Sequence, residues 1–267
     1  MTIEAAVVST ESPRSRYHID ALAKGLRVLA LFDERRTALS LTDAALELGL
    51  PLPSVFRLAM TLEAEGYLRK LPSGEYSPAA QVLALGFAAL RGSDLVQLAS
   101  GPLQRMATET GQTVNLGVLD GDQVLYLIRI RNTDLVTANI QVGSRLPAAH
   151  TSMGKVLLAD LSISEVALRL GASALPATSA PNAARSIGEV IDQLPPVGVQ
   201  GWAIQDEEVA RGLRSVAAPI RDGSGQVVAA ANIAVAAHEV TLDRLLGDLR
   251  DRVVATCEEI SRLAGAR

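Results

Sequence analysis

The sequence predicts an α+β protein of two domains, a small winged helix-turn-helix followed by a larger mixed domain, joined by a linker helix. Three observations carry this. Residues 17–78 hold three helical patterns closed by a short hairpin pattern. From residue 94 to 267, strand-like runs joined mostly by hairpin signals alternate with helical stretches. Between the two, residues 79–93 read as a helix that is apolar on nearly every face. The 267 residues suit two domains of ordinary size, and 48% hydrophobic against 20% charged residues is enough to bury two cores.

Residues 1–16 contain no cationic segment followed by an apolar run, so no secretory signal is expected and this stretch reads as a disordered lead-in. The run "VVAAANIAVAA" (227–237) is far too short to span a membrane, so no membrane partner is expected. The single cysteine, Cys257, excludes an intramolecular disulfide framework. These features together predict a cytoplasmic protein.

The first helix is read over 20–33 from Leu22, Leu26, Leu29 and Phe32 at helical spacing. "DERRTA" makes a polar turn. In "SLTDAALELG", Ser40 stands three residues before Asp43 as a capping box, Leu41, Ala44, Ala45 and Leu48 form one apolar stripe, and Gly49 occupies a left-handed stop. After "LPLP", a helix over 53–65 buries Val55, Leu58, Ala59 and Leu62. Its other face carries Ser54, Arg57 and Thr61, flanked by Phe56 and Met60. Gly66 ends this helix, and "YLRK" and "EYSP" pair around a Leu-Pro-Ser-Gly tip. Helix, helix-turn-helix and hairpin make a winged helix.

A short face with one arginine and two hydroxyls suits a DNA major groove, since arginine pairs with guanine edges or phosphates and hydroxyls serve either. A solvated face on a protein-binding domain is the other reading. Charge does not choose between them. Net charge is −4, and residues 14–80 hold nine Lys/Arg against eight Asp/Glu. The stretch "PAAQVLALGFAALRGS" (78–93) has Gln81 and Arg91 as its only strongly polar side chains, so it needs cover on almost every side. A second subunit supplies that economically; a place in the core of the second domain is the alternative.

In the second domain, "LVQLASGPLQRMATET" is helical, and "TVNLGVLDGDQVLYLIRI" is two alternating runs around Asp120-Gly121-Asp122. "DLVTANIQV" extends the sheet, "TSMGKVLLADL" starts a helix near Thr151, and 186–195 is helical. "WAIQD", "LRSVAAPI" and "QVVAAANIAVA" are strands, and 241–264 is a closing helix.

Enzyme chemistry finds little footing. "HTSMGK" has Ala149 where a phosphate loop needs its first glycine and Val156 where it needs a hydroxyl. No G-x-S-x-G elbow occurs. His18, His150 and His238 are scattered, which suggests neither a metal cage nor a Cys/His pair, and no cofactor is expected. Asp120, Asp122 and Asp206-Glu207-Glu208 lie at turns and strand ends, where solvated charge is the better reading. The helix start at Thr151–Gly154 offers free backbone N–H groups suited to a carboxylate, with Gln205, Ser215 and Asn232 facing it from strands.

The stretch "ALAKGLRVLALFDERRTALSLTDAALELGLPLPSVFRLAMTLEAEGYLRK" resembles the N-terminal domain of the IclR family of transcription regulators. "TVNLGVLDGDQVLYLIRI", "VGSRLPAAHTSMGKVLLA" and "GWAIQDEEVARGLRSVAAPIRDGSGQVVAAANIAV" resemble its effector domain, in the same order. "RGLRSVAAPIRD" and "HTSMGKVLLA" most resemble the branch that regulates aromatic-acid catabolism (protocatechuate, catechol and hydroxybenzoate pathways).

The resemblance implies a winged helix-turn-helix joined by a pairing linker helix to a GAF-like effector-binding domain. It also implies a homodimer or dimer of dimers on a palindromic double-stranded operator, controlled by a small organic acid. DNA contacts are then expected from Ser54, Phe56, Arg57 and Thr61. The family usually has a basic residue and a hydroxyl where this chain has Leu52 and Pro53. That departure shifts weight onto Arg57, with Arg35, Arg36, Arg69 and Lys70 as flanking phosphate candidates. It also keeps open a ligand-sensing adaptor without DNA binding.

For the effector, the resemblance places the acid group on the backbone amides of Ser152 and Met153. It puts Gln205, Ser215 and Asn232 in the site and gives apolar wall to Leu135, Ala138, Leu213 and Ala234. Gln205 stands for a residue often acidic in the family and Ala234 for a hydroxyl, which suits an acid with an apolar body.

Overall fold

The structure, a computed structural model, describes residues 17–33, 36–91, 94–131, 140–171, 175 and 180–266. It divides into two compact units, Met1–Ala89 and Leu90–Arg267.

In the first unit, α1 (Asp20–Leu29), α2 (Leu41–Leu48) and α3 (Leu52–Ala64) precede a two-stranded antiparallel wing, β1 (Leu68–Lys70) and β2 (Tyr76–Pro78). The expected cap of α2 is present: Asp43 N–H donates to Ser40 Oγ at 3.1 Å, and Gly49 closes the helix at φ 63°. Val55 and Ala59 of α3 are fully buried, with Leu58 and Leu62 partly so. Leu39 adds a bridge to the wing, exchanging both backbone hydrogen bonds with Tyr76 at 2.9 Å.

Helix α1 departs from the reading above. It stops at Leu29, and Leu22 and Leu26 are exposed. Its inner face is Gly25, Val28, Leu29 and Phe32, one step around the helix, because that face meets α3 and the wing. Helix α4 (Ala80–Arg91) follows and crosses the division between the units; its Leu83 and Leu85 are exposed.

The second unit begins with α5 (Asp94–Thr110) and the hairpin β3 (Thr113–Asp120) and β4 (Gln123–Ile130). It continues through β5 (Arg145–Pro147), a 3₁₀ turn at Ala148–His150, α6 (Ser152–Leu158), α7 (Ile163–Gly171) and α8 (Ile187–Gln200). Strands β6 (Ala203–Asp206), β7 (Leu213–Arg221) and β8 (Val227–Ala236) complete one antiparallel sheet of order β5-β4-β3-β8-β7-β6. A short α9 (Leu242–Arg244), a π turn at Leu245–Leu249 and α10 (Arg250–Leu263) close the unit.

Hydrophobic side chains fill both faces of the sheet. On one, Val114, Leu116, Val216, Ala218, Ile220 and Ile233 pack on α5 and α10. On the other, Val124, Tyr126, Ala203, Ala217 and Ala230 pack on α6, whose seven residues are all buried.

Three helices depart from the sequence reading, and one expected strand is not tested. The strand over 134–142 falls mostly outside the described residues. Helix α7 was not anticipated, although Ser162 and Glu165 form a capping box, Glu165 N–H to Ser162 Oγ at 3.3 Å and Ser162 N–H to Glu165 Oε2 at 3.0 Å. Helix α8 runs through Pro195 and Pro196 to Gln200, because Val190, Leu194 and Val197 continue one buried stripe across them. The closing helix is broken at Gly247 (φ −99°, ψ −107°), which lets Leu245 and Val253 both reach the core. No single helix among the described residues is long and apolar enough to cross a membrane.

Candidate functional site

Among the described residues, two places gather polar side chains in a way that suits binding. The first is the outer face of α3. Ser54, Phe56, Arg57 and Thr61 are all exposed there, Phe56 at 49%. Thr61 Oγ–H donates back to the Arg57 carbonyl at 2.9 Å, leaving the hydroxyl oxygen to accept. Arg57 forms no ion pair with the described residues. Beside the helix, the wing exposes Arg69 and Lys70; Arg69 Nε donates to Ser77 Oγ at 3.0 Å, and Lys70 Nζ lies 6.0 Å from the Tyr76 ring centre. Arg36 is ion-paired with Glu47, so a phosphate must compete for it. Arg35 lies outside the described residues.

The second place is a cavity of about 20 Å³ on the α6 face of the sheet, lined by Gln205, Leu213, Ser215, Asn232 and Ala234 as expected, and also by Asn115, Tyr126, Arg129, Ile140, Leu146, Thr151 and Val209. It is close to the size of one water. Strand pairing sets its polar row: Asn115 on β3 stands opposite Arg129 on β4 and Asn232 on β8. Asn115 Nδ2 donates to Asn232 Oδ1 at 2.8 Å, and Arg129 Nη1 donates to Asn115 Oδ1 at 3.1 Å.

Ser152 reaches the row from α6, its hydroxyl 2.7 Å from that of Ser215. Thr151 caps the helix by accepting from Gly154 N–H at 2.9 Å. The first-turn amides of Ser152 and Met153 precede the first intrahelical bond, from Lys155 N–H to the Thr151 carbonyl. The Met153 side chain lies in the core with Val124 and Tyr126. Gly154 is required where α6 crosses the 3₁₀ turn, because a Cβ there would lie 2.1 Å from the Ala148 carbonyl oxygen. Leu135 and Ala138 lie outside the described residues.

Gln205 holds the β6–β7 turn: its Nε2 donates to the Leu213 carbonyl at 3.1 Å and its Oε1 accepts from Glu208 N–H at 2.9 Å. The reading of Asp206-Glu207-Glu208 as solvated charge is wrong. Glu208 is buried and accepts from Lys155 Nζ at 2.6 Å, Asp206 accepts from Arg214 Nε at 2.6 Å, and Glu207 Oε2 accepts from Gly212 N–H at 2.8 Å. A turn that folds back onto α6 converts three adjacent acids into structural acceptors.

Sequence reasoning missed Arg129, and the cause is local. β4 is not a simple alternation. Opposite β3, Leu116 pairs with Ile128 and Gly117 with Tyr126, so Leu127 is an extra residue. Val124 and Tyr126 face α6, while Leu127, Ile128 and Ile130 pack toward the other core. The bulge therefore turns Arg129 to the cavity side, where uninterrupted alternation would have put it on the opposite face. Burial, with Arg131 alongside, pulls the Arg129 guanidinium below its ordinary pKa; burial likewise pushes the Tyr126 phenol up.

Among the described residues, no group of His, Cys, Asp or Glu is arranged to hold a metal ion. His150 is buried, with Nε2 3.1 Å from the Ala184 carbonyl oxygen, and Cys257 Sγ–H donates to the Ala218 carbonyl at 3.4 Å. Neither touches the cavity.

Comparison with known proteins matches both units. Residues 21–72 match the IclR helix-turn-helix domain, and residues 87–262 match the bacterial transcriptional regulator IclR C-terminal domain. The Pca regulon regulatory protein of Pseudomonas putida is 35% identical over 228 residues, 84% of this chain and 77% of that protein. The HTH-type transcriptional regulator XynR of Escherichia coli K12 is 31% identical over 249 residues, 92% of this chain and 98% of that one. A crystal structure of a transcriptional regulator from Rhodococcus sp. RHA1 superposes with a TM-score of 0.77 at 31% identity, over 92% of this chain and 98% of that one. A winged helix-turn-helix with an exposed arginine face, a mixed domain with a polar cavity and these matches in the same order lead to one conclusion: the chain belongs to the IclR family of DNA-binding transcriptional regulators, and it is not an enzyme.

Proposed function

We propose that this regulator's hold on DNA is controlled by a small carboxylic acid with an aromatic or ring-derived body, taken up in the cavity between α6 and the sheet. The observation that carries this is the make-up of the cavity wall. Asn115, Asn232, Gln205, Ser215 and Thr151 supply neutral polar groups, Arg129 a positive charge, and Ile140, Leu146, Val209, Leu213 and Ala234 an apolar surface. Among the described residues, no carboxylate lines it. An anion with an apolar body matches that wall better than a cation or a sugar does. The Pca regulon regulatory protein among the relatives, and the motifs resembling aromatic-acid regulators, support the same branch.

A ring needs several times the space of one water, so its entry has to part the walls. An effector that binds the opened arrangement better than the closed one shifts the population of the two. At the other end of the chain, α3 reads the operator through Ser54, Phe56, Arg57 and Thr61, with Arg69 and Lys70 on flanking phosphates. The charge of one head is small. Two heads, paired through α4 in a homodimer or dimer of dimers on a palindromic site, double the phosphate contacts.

The test is a gel shift on the DNA upstream of the protein's own coding region, at two salt concentrations, with and without a panel of benzoates, dihydroxybenzoates and ring-cleavage diacids. A salt-sensitive specific shift altered by one of these acids is expected. A shift unaffected by every acid but altered by a sugar or an amine would overturn the effector class. No specific shift at either salt would favour a ligand-sensing adaptor.

A further inference from the structure

We infer that Arg129 is the residue that recognises the effector's carboxylate, so that the acid group docks against β4 rather than on the first turn of α6. This rests on the organic-acid reading above and deepens it.

The argument begins with what a buried guanidinium requires. Arginine stays charged in proteins and presents five N–H donors in a rigid plane. Arg129 is half-buried, and its Nε has no hydrogen-bond partner among the described residues. Its Nη1 is occupied by Asn115 Oδ1 at 3.1 Å. Nε and Nη2 together form the side edge of the fork, and that edge makes no hydrogen bond with the described residues. Two parallel N–H groups on one edge are the geometry that a carboxylate takes up in bidentate fashion.

Elsewhere in this unit, buried or half-buried cations have acids. Lys155 has Glu208, Arg214 has Asp206 and Arg221 has Asp160. Among the described residues, Arg129 has only a neutral amide. Desolvating an arginine without a counter-charge is unfavourable, so a fold that does so beside a cavity leaves a place where an anion is stabilised.

The positioning is specific. Asn115 is held by Asn232, and it accepts from Arg129 on the guanidinium nitrogen that a side-on carboxylate does not use. The bulge at Leu127 is what aims Arg129 at this face. By contrast, α6 is a seven-residue helix whose Gly154 amide is already satisfied by Thr151 and whose Ser152 hydroxyl is already bonded to Ser215. Its first turn, Ser152 to Gly154, offers neutral donors only.

The test uses the full-length chain and calorimetry with matched pairs: benzoate and benzamide, 4-hydroxybenzoate and 4-hydroxybenzamide, 3,4-dihydroxybenzoate and its amide. The wild type should prefer at least one acid over its amide by between about ten- and a hundred-fold, the range expected of a charge-assisted contact. Arg129→Gln should reduce that preference to within about two-fold while amide binding is unchanged. Arg129→Lys should restore part of it, since a lysine supplies charge without the fork.

Asn115→Asp gives the guanidinium an internal counter-ion without removing it, so it should lose the preference in the same way with the fold intact by thermal melting. A preference that survives in Arg129→Gln and in Asn115→Asp overturns the assignment of Arg129 and leaves the organic-acid reading standing. A wild type that binds acid and amide equally also overturns it. A wild type that binds none of the acids overturns both.

Discussion

Replacing Lys155 by methionine isolates a buried ion pair of the second unit. Lys155 Nζ lies 2.6 Å from Glu208 Oε1 and 3.2 Å from the Ile204 carbonyl oxygen, and both side chains are less than one-tenth exposed. Glu208 Oε2 is buried with no hydrogen-bond partner among the described residues, so the carboxylate already depends on one oxygen for most of its stabilisation. Lys155→Met would leave that charge desolvated and unpaired, a loss of roughly 3–5 kcal/mol. For a domain of this size each kcal/mol moves the melting temperature by about 2–4 °C, so a drop on the order of 6–20 °C is expected.

Removing both partners, Lys155→Met with Glu208→Leu, should recover most of the loss, because no buried charge remains. Urea unfolding followed by the fluorescence of Trp202 reads this unit alone, since Trp202 is the single tryptophan and sits 5.6 Å from Arg250 in it. The reasoning fails if Lys155→Met costs less than about 1 kcal/mol, or if the double variant is as damaged as the two singles added together.

Four further outcomes are expected. Arg57→Ala should abolish specific operator binding with the fold intact, since a base-edge contact is worth about 1–3 kcal/mol and a symmetric dimer loses it twice; a footprint of unchanged affinity would show that α3 is not the reading helix. Leu85→Lys would place a charge on an exposed apolar position of α4 and should yield smaller assemblies in sedimentation; an unchanged assembly removes α4 from the pairing contact. Gly154→Ala brings a Cβ to 2.1 Å from a backbone oxygen, 0.9 Å inside the 3.0 Å that such atoms keep. Backbone on both sides cannot yield cheaply, so chemical denaturation should show at least about 1–3 kcal/mol lost. Burial pushes the Cys257 thiol up to about 12, so it should resist thiol reagents at pH 8 until urea is added; rapid stoichiometric labelling of the native chain would contradict that.

Local chemistry was legible in the sequence wherever a residue acts on its near neighbours. Ser40 with Asp43, Gly49 at the helix stop, and the hairpins around Pro72-Ser73-Gly74 and Asp120-Gly121-Asp122 were all readable, because each is decided within four or five residues. The Ser162–Glu165 box carries the same local signal. Gln205, Ser215 and Asn232 follow from small or polar strand positions facing the helix start, Ala234 from the family resemblance, and all four line one cavity.

Tertiary structure decided what no local pattern contains. Leu22 and Leu26 have ideal helical spacing, yet they face outward, because α3 and the wing meet the adjacent stripe of α1. Glu208 belongs to an acidic triplet at a strand end, yet a lysine 53 positions earlier buries it. Arg129 sits in an apolar strand whose alternation points it at one core, and a single extra residue opposite Leu116 and Gly117 turns it to the other. A strand's faces follow from its own period of two, so sequence alone determines them until a bulge intervenes. Whether a bulge forms depends on how the partner strand packs, and that information lies in residues distant along the chain.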